Sequence, residues 1–167
     1  MIPEIYQDND GGDYSHGIKE RMYTLAAGLS TPVIVEIGTR TGNSLRIWAA
    51  AAASNGGEVF SVDHTYRPGW PLPACCVLFI ASSHHVAWPR PIAVLYIDGD
   101  HTKEGCQRDV DYWWPMVKSG GHLLFHDATN PGHLQDLMSI ITQLALAQSG
   151  TFEIWPNQCG MAYLRKP

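Results

Sequence analysis

The sequence is short of charge: only 16% of its 167 residues are Asp, Glu, Lys or Arg, against about a quarter in an ordinary soluble domain. Eleven basic residues against sixteen acidic ones leave a net charge of −5, and no stretch gathers Lys and Arg. The electrostatic footprint of a nucleic-acid binder is therefore missing. Long apolar runs are missing too, since Gly, Pro, His or a charge interrupts each one before it could span a bilayer. The opening residues, Met1 to Asp13, are polar and acidic and lack the basic-then-apolar layout of a secretory leader. The four cysteines, Cys75, Cys76, Cys106 and Cys159, form no CxxC pair and no disulfide framework, which fits buried thiols in a reducing compartment. We expect one cytoplasmic domain over 1–167 behind a polar leader, 1–16, with no membrane or nucleic-acid partner. So sparse a charge also leaves room for a second copy to cover part of the surface, as in a homo-oligomer.

What is present is a regular alternation of patterns. Ile18, Met22, Leu25 and Leu29 recur at helical spacing, so Gly17 to Leu29 predicts an amphipathic helix, stopped by Thr31-Pro32. Val33 to Ile37 is a β-branched run and predicts a buried strand. Asn43 to Ser54, with its alanine run, predicts a helix closed by Asn55-Gly56-Gly57. Glu58 to Val62 and Val77 to Ile80 follow as strands. Between them stands only a Pro/Gly/Trp loop, His64 to Ala74, where a crossover helix is expected. Ala93 to Ile97 predicts a strand and Lys103 to Val117 a helix, broken by Ser119-Gly120-Gly121. His122 to Phe125 is the next strand, and Asn130-Pro131 opens a helix carrying Leu134, Leu137, Ile141 and Leu144. Thr151 to Trp155 and Gly160 to Leu164 close the chain as strands joined by a Pro-Asn turn, hence antiparallel. The result is an α/β fold, doubly wound, with a mostly parallel sheet and an antiparallel hairpin at one edge. Such sheets bind ligands at the carboxyl ends of their strands, which directs attention to the residues just after Ile37, Val62, Ile80, Ile97 and Phe125.

Those positions are rich in chemistry. Glu36-Ile37-Gly38-Thr39-Arg40-Thr41-Gly42-Asn43-Ser44 places two glycines four apart, so the backbone can turn tightly and approach a ligand. Arg40 occupies the second glycine position of a dinucleotide fingerprint, and no Lys-Ser/Thr pair follows Gly42, so neither a pyrophosphate loop nor a P-loop is present. Glu36 suits a ligand bearing an ammonium group. Asp63, with His64 beside it, ends the second strand, where a carboxylate can accept both hydroxyls of a ribose. Together these point to an adenosine-type ligand without a pyrophosphate, a shape that S-adenosylmethionine has. Asp98-Gly99-Asp100-His101 and His126-Asp127 then end neighbouring strands. Three carboxylates and two imidazoles so close favour a bound cation, with oxygen ligands suiting Mg²⁺, Ca²⁺ or Mn²⁺ and imidazole tilting toward Mn²⁺, Fe²⁺ or Zn²⁺. The simpler account gives Asp98 to the cofactor and uses Asp100 and Thr102 to cap the next helix.

Glu36-x-Gly38-x-x-x-Gly42, Asp63, Ile97-Asp98-Gly99-Asp100-His101 and Gly120-Gly121-His122-Leu123-Leu124-Phe125-His126-Asp127 resemble the class I S-adenosylmethionine-dependent methyltransferases. The Asp-Gly-Asp-His and His-Asp pair is similar to the branch holding macrocin-type O-methyltransferases and cephalosporin-hydroxylase-like proteins. The resemblance implies the Rossmann-like, seven-stranded sheet of that family. It implies that Glu36, Gly38 and Gly42, with Thr39, Arg40 and Ser44 nearby, hold the methionine moiety. Asp63 would hold the ribose, and Ser82 and Ser83 would stand where the family approaches adenine. Metal-dependent members imply Asp98 and Asp127 as ligands, with His126 at the remaining position of the pair, and Asp100 as the base.

The expected function is O-methylation of a small hydroxylated substrate, assisted by Mg²⁺ or Mn²⁺, with Asp100 taking the proton, or His101 if its loop turns inward. A metal-dependent hydrolase, a non-catalytic S-adenosylmethionine-binding protein and a metal-independent methyltransferase are the alternatives. Trp70, between prolines near the expected pocket, is a candidate to stack on adenine or substrate. His84-His85 reads as a solvated turn, Trp113-Trp114 as core packing with one exposed ring, and His16 as a histidine without a fixed place.

Overall fold

A computed structural model of the chain describes residues 16–65, 70–148, 151–155 and 159–167. The polar leader, apart from residue 16, and the Pro-Asn turn between the last two strands lie outside the described residues. Helix α1 spans His16–Ala27, followed by β1 (Val33–Ile37), α2 (Asn43–Asn55), β2 (Glu58–Asp63) and β3 (Cys76–Ile80). Then come β4 (Ile92–Ile97), α3 (Lys103–Trp113), β5 (Val117–His126), α4 (Leu134–Ala147), β6 (Phe152–Trp155) and β7 (Met161–Arg165). The seven strands form one sheet in the order β3-β2-β1-β4-β5-β7-β6. Strands β1 to β5 pair in parallel, and β7 pairs antiparallel with both β5 and β6. The sequence-expected α/β architecture is thus present. So is the shortened β2–β3 connection, which holds no helix among its described residues. Among the described residues no helix is long and apolar enough to cross a membrane.

The period-two alternation of the strands builds a core on each face. Ile34, Val59, Val94, Tyr96 and Leu124 join α1 and α2 through Ile18, Met22, Leu45 and Trp48. Their strand neighbours Val35, Phe60, Leu95, Ile97, Leu123 and Phe125 join α3 and α4 through Cys106, Val110, Trp113, Leu137 and Ile141. All six residues of β4 are buried, as expected of a central strand covered on both sides. Edge strand β3 leaves Val77 and Ile80 exposed.

The differences from the sequence expectation have local causes. Helix α3 ends at Trp113 rather than Val117, because Pro115 has no N–H to continue it, and a short 3₁₀ turn covers Trp114–Met116. Ser119-Gly120-Gly121 does not break the chain but lies within β5. There the β4–β5 register shifts between Ile92 and Val94, and the Gly120 and Gly121 backbones pair with Lys166. Asn130 does not cap α4. It closes a turn by donating its N–H to the Asp127 carbonyl at 3.0 Å, and α4 begins only at Leu134. Both Trp113 and Trp114 are buried, so neither ring is exposed.

Candidate active site

The carboxyl ends of β1, β2, β4 and β5 meet around a cleft of about 620 Å³. Its floor is the loop after β1, held to both neighbouring strands: Gly38 N–H donates to Val62 O at 2.9 Å while Asp98 N–H donates to Ile37 O at 2.8 Å. At φ +93° a Cβ on Gly38 would lie 2.1 Å from the Asp98 carbonyl oxygen, so no other residue fits without moving β4. Asp63 Oδ2 accepts the Thr39 and Arg40 N–H groups, each at 2.8 Å, and Oδ1 accepts Thr65 N–H at 2.9 Å. This carboxylate clasps the loop to the end of β2 and still faces the cleft. Below the floor Glu36 is fully buried, with Ser44 Oγ donating to Oε1 at 2.5 Å and Ser61 Oγ to Oε2. Ser61 in turn shares a 2.5 Å hydrogen bond with Thr39 Oγ1. Burial pushes the Glu36 carboxyl up to about 8, against the pull of the two serines.

At the other end of the cleft β4 and β5 bring four side chains together. His101 turns inward, with Nε2 3.3 Å from Asp98 Oδ1 and Nδ1 3.3 Å from Asp127 Oδ2. His126 lies behind them, its Nδ1 3.2 Å from Asp98 Oδ1 and 3.5 Å from Asp127 Oδ1. Tyr96 Oη donates to Asp98 Oδ2 at 3.1 Å. Asp127 itself takes a left-handed backbone, φ 57°, a conformation Asp tolerates better than most residues. The loop that follows is held to the chain before β7, where Ala128 and Thr129 N–H donate to Gly160 and Cys159 carbonyls at 3.2 and 2.8 Å. Burial works against charge throughout this group, yet the charges support one another. His126 is pushed up to about 10 by Asp127 and Asp98, and hydrogen bonding to Asp98 raises His101. Both carboxyls are held below the usual range, Asp98 by His101 and His126, and Asp127 by His126 with help from Cys159 and His101.

A family model described as a methyltransferase domain matches residues 35–128, more than half of the chain. The chain belongs to this methyltransferase family. Its fold is that of the class I S-adenosylmethionine-dependent methyltransferases, and solved structures repeat it at low identity. The SAH-bound methyltransferase PaMTH1 of Podospora anserina superposes with a TM-score of 0.72 at 14% identity, covering 99% of this chain and 89% of that one. An O-methyltransferase from Bacillus cereus in complex with SAH gives 0.68 at 15%, covering 93% and 84%. MycE of the mycinamycin pathway, solved with Mg, SAH and mycinamycin VI, gives 0.71 at 15%. This chain is covered over 99% of its length there but spans about half, 53%, of MycE.

In this methyltransferase the residues singled out from the sequence fall into three groups. Gly38, Thr39, Arg40, Ser44, Asp63, His64, Ser82, Ser83 and Asp98 all line the cleft, as do His101, His126 and Asp127. Glu36 and Gly42 do not: Gly42 packs against Trp70, and Glu36 is turned beneath the loop, where it fixes Ser44 and Ser61. Asp100 lines the cleft but stands apart from the Asp98–His101–Asp127 group. Its Oδ1 accepts Thr102 N–H at 2.9 Å and its Oδ2 lies 3.9 Å from Arg108, so it serves the start of α3, as the simpler account holds. Asp98, His101 and Asp127 offer donor atoms that all lie within 4.8 Å of one another, which adds His101 to the expected metal set. Trp70 is absent from the cleft lining. It packs against Gly42, whose Cβ would lie 3.1 Å from its Nε1, with the Arg46 guanidinium 5.0 Å over its ring. Sequence reading missed Asp109, a 4% exposed carboxyl on α3 that lines the cleft and accepts a hydrogen bond from Ser83 Oγ. Its only advance signal is an acid on the helix face that also carries Cys106, Val110 and Trp113.

Proposed function

We propose that this protein transfers a methyl group from S-adenosylmethionine to the hydroxyl of a small acceptor, and that His101 takes the hydroxyl proton. The observation that carries the reading is the inward turn of His101 between Asp98 and Asp127, 3.3 Å from each. A hydroxyl is a poor nucleophile at neutral pH, and an imidazole is the side chain best matched to remove its proton there. Two carboxylates fix the ring and stabilise the imidazolium that results. Asp100, tied to Thr102 and half exposed, is less well placed for the same task.

S-adenosylmethionine would supply the methyl group as a sulfonium-borne electrophile, held by the Gly38–Ser44 loop, Asp63, the Ser82-Ser83 segment and Asp98. The loop suits that role because its glycines leave the backbone bare and Asp63 stands at the height where β2 ends. Asp63 Oδ2 spends both lone pairs on the Thr39 and Arg40 amides, while Oδ1, which accepts only Thr65 N–H, keeps one for a ribose hydroxyl. Mg²⁺ or Mn²⁺ also fits: two hard carboxylate oxygens and an imidazole nitrogen are within 4.8 Å. Bound by Asp98 and Asp127 with His126, it would supply charge that stabilises the acceptor alkoxide. With Asp98 and Asp127 engaged by a cation, the His101 ring would be left to accept the hydroxyl proton.

The test is methyl transfer from S-adenosylmethionine to a panel of catechols, sugars and hydroxylated macrolides, followed as SAH release. His101→Ala is expected to bind SAH as the parent does and to lose activity by about 10²–10⁴-fold. Unchanged turnover would remove His101 from the mechanism. Loss of activity in EDTA, restored by Mn²⁺ or Mg²⁺, would support the cation; indifference to chelator would assign proton removal to His101 alone.

A further inference from the structure

Away from the cleft the chain carries two adjacent thiols for which methyl transfer has no use. Cys75 and Cys76 are half-buried, and their sulfurs stand 3.9 Å apart. Neighbours in an extended strand point to opposite faces, so consecutive thiols meet only where the backbone turns. That turn is present: Cys76 N–H donates to the Pro73 carbonyl at 2.9 Å where β3 begins. Both side chains therefore pack on the α1–α2 face of the sheet, against the cluster that Trp70 and Leu72 also join. Val59 N–H donates to the Cys75 carbonyl at 2.8 Å, and Cys75 Sγ lies 3.6 Å from the Ala49 carbonyl of α2. The backbone thus sets the sulfur spacing before any ligand binds.

That spacing suits one bridging atom. A disulfide would draw the sulfurs to about 2.05 Å and twist the Cys75–Cys76 peptide against its two backbone hydrogen bonds. Two bonds of about 2.3 Å from a single tetrahedral centre would set them about 3.8 Å apart. Zn²⁺ matches that distance but asks for four ligands. Among the described residues, the only group of three or more metal-ligating side chains is Asp98, His101 and Asp127. Zn²⁺ also requires thiolates, whereas burial pushes the Cys76 thiol up and the neighbouring Cys75 adds to the shift. A centre that is complete with two sulfurs, and takes them from neutral thiols, meets neither obstacle.

We infer that Cys75 and Cys76 form a two-thiol chelate for a trivalent centre of the arsenoxide type, R–As(OH)₂. Two As–O bonds break and two As–S bonds form; each thiol proton leaves on a hydroxyl as water, and arsenic stays trivalent. Neither cysteine lines the cleft, so the inference does not depend on methyl transfer. The bland role, two small side chains filling space, needs no particular sulfur spacing.

Phenylarsine oxide added to the reduced full chain, followed by intact-mass spectrometry and peptide mapping, separates the two roles. The parent is expected to take one phenylarsenic group on the peptide that holds Cys75 and Cys76. Excess glutathione should leave it in place, because both As–S bonds must exchange together, and dithiothreitol should remove it. Cys75→Ser and Cys76→Ser should each lower retention against glutathione by about a hundredfold or more, the loss of one arm of a bivalent contact. Cys159→Ser, which removes the other half-buried thiol, should keep the parent's retention. Circular dichroism checks that each variant folds, and Cys75→Ala serves where the serine variant does not. A parent that takes no adduct, or loses it to glutathione as readily as the single variants, overturns the inference. So does an adduct that survives unchanged in Cys76→Ser or maps to Cys106 or Cys159.

Discussion

Replacing Glu36 with Gln tests whether the loop after β1 is built on a neutral acid. Glu36 is fully buried and reaches only Ser44 and Ser61, with Asp98 and Asp63 adding repulsion, and its carboxyl is pushed up to about 8 from an ordinary 4.5. The unfolded chain therefore releases this proton at lower pH than the folded one. Between pH 4.5 and about 8 the folded state binds more protons, so stability falls as pH rises through that window. Moving one pKa across it corresponds to about 5 kcal/mol in full, an order-of-magnitude figure. Gln is neutral at every pH and can exchange hydrogen bonds with both serines. Urea unfolding of parent and Glu36→Gln at pH 5, 6, 7 and 8.5 isolates the term, because all other titrations cancel in the difference. At pH 5 the two should agree within about 1 kcal/mol. By pH 8.5 the variant should be the more stable by about 4 kcal/mol. A difference that stays constant across the range would mean that Glu36 is already ionised in the fold, and would refute the reasoning.

Asp127→Asn leaves the His126 imidazolium with half its support and should destabilise by about 3 kcal/mol near pH 6 in chemical denaturation. The deficit should shrink as pH rises through about 10, where His126 gives up its proton in the parent. In the parent, added Mn²⁺ should raise the thermal midpoint, and more so at higher pH because an imidazole must be deprotonated to bind it; Asp127→Asn should abolish the rise. Gly38→Ala meets both a positive φ and the Asp98 carbonyl, with about 1–3 kcal/mol of backbone strain alone, and should eliminate SAH binding measured by calorimetry. Asp100→Asn should lose far less turnover than His101→Ala, because its carboxylate serves Thr102 and Arg108.

The sheet was legible because its strands announce themselves by short apolar runs, β-branched in β1, and its helices by their spacing, and because the turn after β1 needs glycine where glycine stands. The errors fell where backbone pairing overrides local propensity. Ser119-Gly120-Gly121 looks like a breaker in isolation, but the Gly120 amide and Gly121 carbonyl pair with Lys166 and β4 already pairs with Val117, so β5 starts five residues early. The carboxyl-end rule likewise located Asp63, Asp98 and Asp127 from the sequence alone, since a residue at the end of a parallel strand has few other places to point.

Direction is what such a rule does not give. Glu36 and Asp98 end adjacent strands and are both carboxylates, yet Glu36 points to the α1–α2 side under the loop and Asp98 into the cleft. Alternation alone would send Glu36, its register partner Tyr96 and Asp98 to one face; they part because Glu36 still lies within β1 whereas Asp98 lies past the end of β4. Asp100 and His101 are separated by one bond of backbone, and the capping demand of α3 takes the first while leaving the second free to turn inward. A helix with Thr102 at its N-cap draws on nearby carboxylates to satisfy open amides. An acid two residues before that cap is therefore better read as part of the helix start than as a base. Asp109 is the converse. It lies mid-helix, where periodicity assigns it to the core, yet α3 packs beside Gly99 and so brings it to the lining of the cleft. An acid on the buried face of a helix that crosses the strand carboxyl ends can therefore line the cleft even though its spacing marks it as core.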